Sequence, residues 1–144
     1  MATARFYSQF FRSLMSKEVN LTSDTVKLMI CNDTYTPNQD THRYKSDVTG
    51  EVSGPGYTAG GVPVNPMAIA YDPATNVLSF DGADANFPNS TITGRWGVLY
   101  DSTPATDATR PLIGYVDFES NMSSVAANFG VIWAASGIGA VTIQ

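Results

Sequence analysis

His42 is the only histidine and Cys31 the only cysteine in this chain of 144 residues, and those two counts limit its chemistry more than any other feature. A nucleophilic thiolate needs a base or a helix terminus beside it, and a zinc site or an acid–base pair needs further imidazoles or thiolates. Leu28, Met29 and Ile30 run directly into Cys31, so the thiol is expected inside a strand as a small buried hydrophobe. His42 lies among polar neighbours in Asp40-Thr-His-Arg-Tyr44 and reads as a surface or interface residue. Asp81-Gly-Ala-Asp-Ala-Asn86 gathers two carboxylates and an amide, oxygen ligands of the kind Ca²⁺ accepts. The distal bidentate Glu and regular alternation of an EF-hand loop are missing, so a solvated turn is expected, and Asp81, Asp84 and Asn86 are assigned no metal.

Glycine is concentrated in Glu51-Val-Ser-Gly-Pro-Gly-Tyr-Thr-Ala-Gly-Gly61. The segment lacks the Lys-Ser/Thr ending of a phosphate cradle, and no helical pattern follows to aim a dipole at an anion. Its glycines and proline specify a shaped turn. No Gly-x-Ser-x-Gly elbow is present, and one histidine cannot complete a triad. No catalytic residue or cofactor is assigned, and the expectation is a protein that is not an enzyme.

The elements that would carry these residues are mostly strands. Phe6, Phe10, Phe11 and Leu14 fall at helical spacing, predicting one amphipathic helix over residues 3–16. A strand is predicted over 26–31, and others over 57–59, 67–72, 76–81, 91–100, 112–118, 128–133 and 138–143. Asp72-Pro-Ala-Thr-Asn76 predicts a hairpin turn, with Pro presetting φ and Asn tolerating the left-handed region. Ile92, Gly94, Trp96, Val98 and Tyr100 alternate against Thr93, Arg95 and Leu99, which places Trp96 in the core. The segments at 91–100 and 112–118 are expected to pair across the 101–111 loop. Short, regularly spaced strands imply an antiparallel β-sandwich or barrel with one N-terminal helix, a single domain over 1–144.

Composition narrows the partners. Charged residues make up 15% of the chain, below the roughly 25% of soluble domains, and Thr, Ser, Asn and Gly fill the gap. Such a surface suits contact with another protein. A net charge of −5 without clustered Lys and Arg argues against a phosphate-binding face, so no direct nucleic-acid partner is expected. No run approaches about 18 apolar residues, so no membrane partner is expected, and Arg5 and Arg12 interrupt what would be a secretory apolar region.

Five blocks carry a resemblance: Asp24-Thr-Val-Lys-Leu-Met-Ile30, Tyr35-Thr-Pro-Asn-Gln-Asp-Thr-His42, the Glu51 to Gly61 segment, Asn89-Ser-Thr-Ile-Thr-Gly-Arg95 and Pro111-Leu-Ile-Gly-Tyr-Val-Asp-Phe118. In order and spacing they resemble a family of small tailed-bacteriophage virion structural proteins, from about residue 20 onward. Pro55 departs from the family's usual glycine there, which bears on the local turn. The resemblance implies a non-enzymatic subunit of the virion, made in the host cytoplasm. The favoured expectation is an accessory capsid decoration or cement subunit whose partners are the major capsid protein or other virion proteins. It is also expected to be a homo-oligomer, with a trimer as the working assignment. The alternative is a tail or adhesion-apparatus protein binding host surface carbohydrate, for which Tyr44, Tyr57 and Trp133 would have to be exposed. The contact residues expected for the capsid reading are Phe6, Phe10 and Phe11 on the helix and Tyr57, Thr58, Gly60 and Gly61 in the loop.

Overall fold

Two long antiparallel strands, β6 (Ala85–Asp101) and β7 (Leu112–Val131), form the spine of the protein. The structure, a computed structural model, describes residues 2–144. Around that hairpin the chain arranges β1 (Thr3–Phe6), α1 (Ser8–Met15), β2 (Val26–Cys31) and β3 (Val62–Pro63) into a five-stranded sheet of order β1-β7-β6-β2-β3, with α1 packed on it. A second sheet has the order β4-β5-β8, built from β4 (Ala68–Asp72), β5 (Val77–Asp81) and β8 (Gly139–Thr142). All pairings are antiparallel. Strand accounts for 48% of the residues and helix for 8%, so the fold is mainly β and sandwich-like. No closed barrel forms among the described residues.

The helix predicted over 3–16 is shorter. Residues 3–6 pair with β7, Arg5 opposite Tyr115 and Phe6 opposite Gly114, and the helix starts only at Ser8. Phe6 sits just before the N-cap residue Tyr7 and packs edge-on against Phe11 in the first turn and a half, ring centroids 5.4 Å apart. This is a hydrophobic staple, which reproduces helical spacing with a residue outside the helix. At the other end Lys17 takes φ 61°, its N–H bonding Leu14 O at 3.2 Å, while the Glu18 N–H bonds Ser13 O at 2.9 Å. That paired closure is the Schellman stop.

The strands predicted at 112–118 and 128–133 are one continuous β7. The polar stretch between them stays paired to β6, as at Thr93 opposite Ser123. Register shifts between Phe87 and Ser90, Ser90 and Ile92, and Gly94 and Trp96 re-aim side chains along the way. Consequently Ile92 does not share the face of Trp96: it joins Leu28, Ile30, Leu99 and Ile113 in one core cluster. Val98 and Tyr100 join Met29, Leu112 and Tyr115 in another, on which Trp96 lies half-buried. The five-stranded sheet is thus packed on both faces. Residues 57–59 form no strand, leading instead into a turn at Ala59 and Gly60, and the edge strand there is β3. The Asp72 to Asn76 hairpin forms as expected, with Asn76 at φ 55° and Asp72 Oδ1 accepting the Ala74 N–H at 2.9 Å.

Candidate functional site

The glycine-rich segment is closed on itself by the Glu51 carboxylate and fastened to β2 by the Tyr57 phenol. Tyr57 donates its hydroxyl to Glu51 Oε1 at 2.8 Å and accepts the Ile30 N–H at 3.1 Å, with its ring stacked on Phe87. The same Glu51 oxygen accepts the Gly60 N–H, and the Gly60 carbonyl accepts the Tyr100 hydroxyl at 2.6 Å. Burial, then the neighbouring Glu51, raises the Tyr57 phenol above its ordinary range; the hydrogen bond from Ile30 opposes them only in part. Gly61 is held at φ 78° so close to β2 that a Cβ there would lie 1.9 Å from Leu28 O. Glycine is obligatory at that point because the backbone of one segment occupies the place of a side chain on the other. A polar hollow beside the loop is lined in part by Lys27, Lys45 and Arg110, with Asp107 joined to Lys45 at 2.9 Å and to Arg110 at 2.8 Å.

The residues with chemical potential are engaged elsewhere. Cys31 is buried, and burial followed by the Glu51 charge pushes its thiol up to about 12, the opposite of an activated nucleophile. His42 Nδ1 meets the Tyr35 hydroxyl at 2.9 Å, and Tyr35 meets the Tyr7 hydroxyl at 2.8 Å, a chain of side chains that ties the 35–42 loop onto β1 and α1. Burial raises both tyrosines. Asp101 is buried with one oxygen bound to the Thr103 N–H at 2.9 Å. Burial, reinforced by the neighbouring carboxyl of Asp24, raises its carboxyl to about 6. The oxygens of the 81–86 loop have separate tasks. Asp81 accepts the Gly82 N–H, Asp84 the Trp133 N–H and Asn86 the Asn128 amide.

Of the expected contact residues, Phe10 is buried and Phe6 and Phe11 are half-buried, all packed with Phe80 or with one another at ring distances of 5.4–6.3 Å. They face the protein's own interior. Tyr57, Gly60 and Gly61 are likewise turned toward β2, and only Thr58 is exposed. Tyr44 bonds Glu18 through its hydroxyl, and Trp133 donates its indole N–H to Ala83 O at 2.9 Å. Apart from Met15 at the end of α1, the large apolar side chains that do reach solvent lie elsewhere. Met122 and Val125 stand on the outer middle of β7, Ile132 stands just beyond it, and a further group lies on the β4-β5-β8 sheet. The alternation of Ile69 with Tyr71, Leu78 with Phe80 and Val141 with Ile143 was the available signal for that group, but it reads equally as a core face. Comparison with protein-family models, with curated proteins and with solved structures finds no match.

Proposed function

We propose that this protein is a structural subunit of a tailed-phage particle, an accessory capsid decoration or cement protein that works by protein–protein contact. The observation that carries the reading is where its apolar surface lies: Val125 and Ile132 are 77% and 79% exposed on a charge-poor chain whose phenylalanines are consumed by its own core. Apolar side chains held out in solvent are available as contacts for another protein. The resemblance of the five sequence blocks to virion proteins supplies the class of partner, the major capsid protein or a neighbouring virion protein. The rigid tie of the Glu51 to Gly61 segment fits a subunit that presents a fixed shape. The alternative of carbohydrate binding by a tail protein loses support, because Tyr44, Tyr57 and Trp133 are each half-buried with their polar atoms bonded within the chain.

The test is to assemble particles without this protein and image them with and without it added back. Depleted particles are expected to form, to lose resistance to heat or internal DNA pressure, and to regain both density on the shell and resistance on addition. Val125→Asp is expected to weaken attachment while leaving the isolated domain folded. Depleted particles that keep full heat resistance but fail to adsorb to host cells would replace the capsid reading with the tail reading.

A further inference from the structure

The β4-β5-β8 sheet carries its core face past the edge of its own core. Strand register puts Ile69 opposite Phe80, Tyr71 opposite Leu78, and Leu78 opposite Val141, so these side chains share one face, and Ile143 continues it through its N–H to Asn76 O at 2.8 Å. Phe80, at one end, is buried against Phe6 at 5.6 Å. The other five, Ile69, Tyr71, Leu78, Val141 and Ile143, are 37–52% exposed. Asp72 and Asp81, the acidic residues of these strands, alternate onto the opposite face.

We infer that this face is covered by the same face of a second copy of the chain. Three properties select that occupant. The five exposed residues adjoin one another across three strands, an apolar centre of the kind around which a standard interface of about 800 Å² a side is built. The sheet's own side chains on this face are uncharged and the one charged neighbour at its end is Lys17, beside Ile69, so two chains of net charge −5 meet there without opposing carboxylates. It is also self-complementary in kind, a small sheet able to stack on its own twofold copy as the layers of a sandwich do. The one polar tip is already provided for: Tyr71 donates its hydroxyl to Asn76 Oδ1 at 3.0 Å and can be buried without stranding a donor.

The inference concerns self-association and stands independently of where in a particle the protein resides. The experiment is sedimentation equilibrium on the full chain, comparing the parent with Tyr71→Glu, Leu78→Glu and, as a control on the opposite face, Ala70→Glu. The parent is expected to associate at micromolar concentration. Each face variant should associate at least about 30-fold more weakly, the loss typical of a central contact residue, while the control follows the parent. Circular dichroism shows whether the variants fold. If Leu78→Glu does not, hydrogen exchange of the parent takes its place, with protection at residues 77–80 and 140–143 expected to rise with protein concentration. A parent that stays monomeric to about 100 µM, or face variants that associate as the parent does, overturns the inference. Protection of this face that appears only when capsids are added would give it to a different partner and would leave the structural function in place.

Discussion

Replacing Gly61 by alanine tests the view that the glycine-rich segment is a fixed strut. A Cβ at this position would lie 1.9 Å from the carbonyl oxygen of Leu28 and 2.5 Å from its carbon. Leu28 cannot retreat, because β2 is held on its far side by β6 with Leu28 opposite Leu99. The loop must therefore lift. Lifting it breaks the Ile30 to Tyr57, Tyr57 to Glu51 and Gly60 to Glu51 hydrogen bonds, at about 1 kcal/mol each. Holding alanine at a left-handed φ adds about 1–2 kcal/mol, so the loss is about 4 kcal/mol in all. For a domain of this size that lowers Tm by roughly 10–15 °C. Gly60→Ala is the internal control: its φ is also positive, but its Cβ would meet only the Tyr100 hydroxyl at 3.1 Å, so only the backbone cost of about 1–2 kcal/mol applies. Thermal and urea unfolding measure both. Tyr57→Phe should cost about 1–3 kcal/mol in the parent and almost nothing on the Gly61→Ala background, where its bonds are already gone. A Gly61→Ala protein that melts within about 3 °C of the parent, or no lower than Gly60→Ala, refutes the argument.

Asp101 sets a pH dependence whose sign is fixed by its raised carboxyl. Its folded value of about 6 lies above the ordinary value, so its contribution is fully present below about pH 4 and is lost as pH rises through about 6. Asp101→Asn should therefore gain stability relative to the parent across that window, read as a difference in urea midpoints at pH 4 and pH 8; a difference that is flat with pH refutes it. Trp96 is half-buried, edge-on to Tyr115, and its buried indole N–H finds no acceptor among the described residues. Trp96→Phe should then be neutral or stabilising within about 1 kcal/mol in thermal melts, whereas a loss above about 2 would mean that the N–H is bonded. Lys17 occupies the left-handed stop of α1, so Lys17→Gly should raise stability by about 0.5–1 kcal/mol, and a lower Tm would show that the helix ends otherwise.

The sequence made the local features of the fold readable and obscured those that depend on distant pairing. The Asp72 to Asn76 hairpin was plain because its turn chemistry is contained in five residues, and the pairing of 91–100 with 112–118 followed from matched alternation. Phe6 was misassigned to the helix because a stapling residue lies at helical spacing from Phe10 and Phe11 without being helical itself. The face of Ile92 was misread because the ladder slips between Gly94 and Trp96, where the single residue Arg95 of β6 stands against four residues of β7, and nothing local to Gly94 announces it. The expected contact residues show the same limit. Aromatic stripes and glycine loops are as useful to a protein's own interior as to a partner, and which of the two they serve is decided by elements remote in the sequence, here Phe80 and the backbone of Leu28.

The pairing of residues 3–6 with 114–117 has a consequence for how the chain is made. A ribosome must add more than a hundred residues before the first strand meets its neighbour, and Phe6, Phe10 and Phe11 wait uncovered until Phe80 and Ile113 have emerged. Folding is therefore gated by the second half of the molecule. During that interval the aromatic segment is exposed apolar surface, the kind on which incompletely folded chains associate.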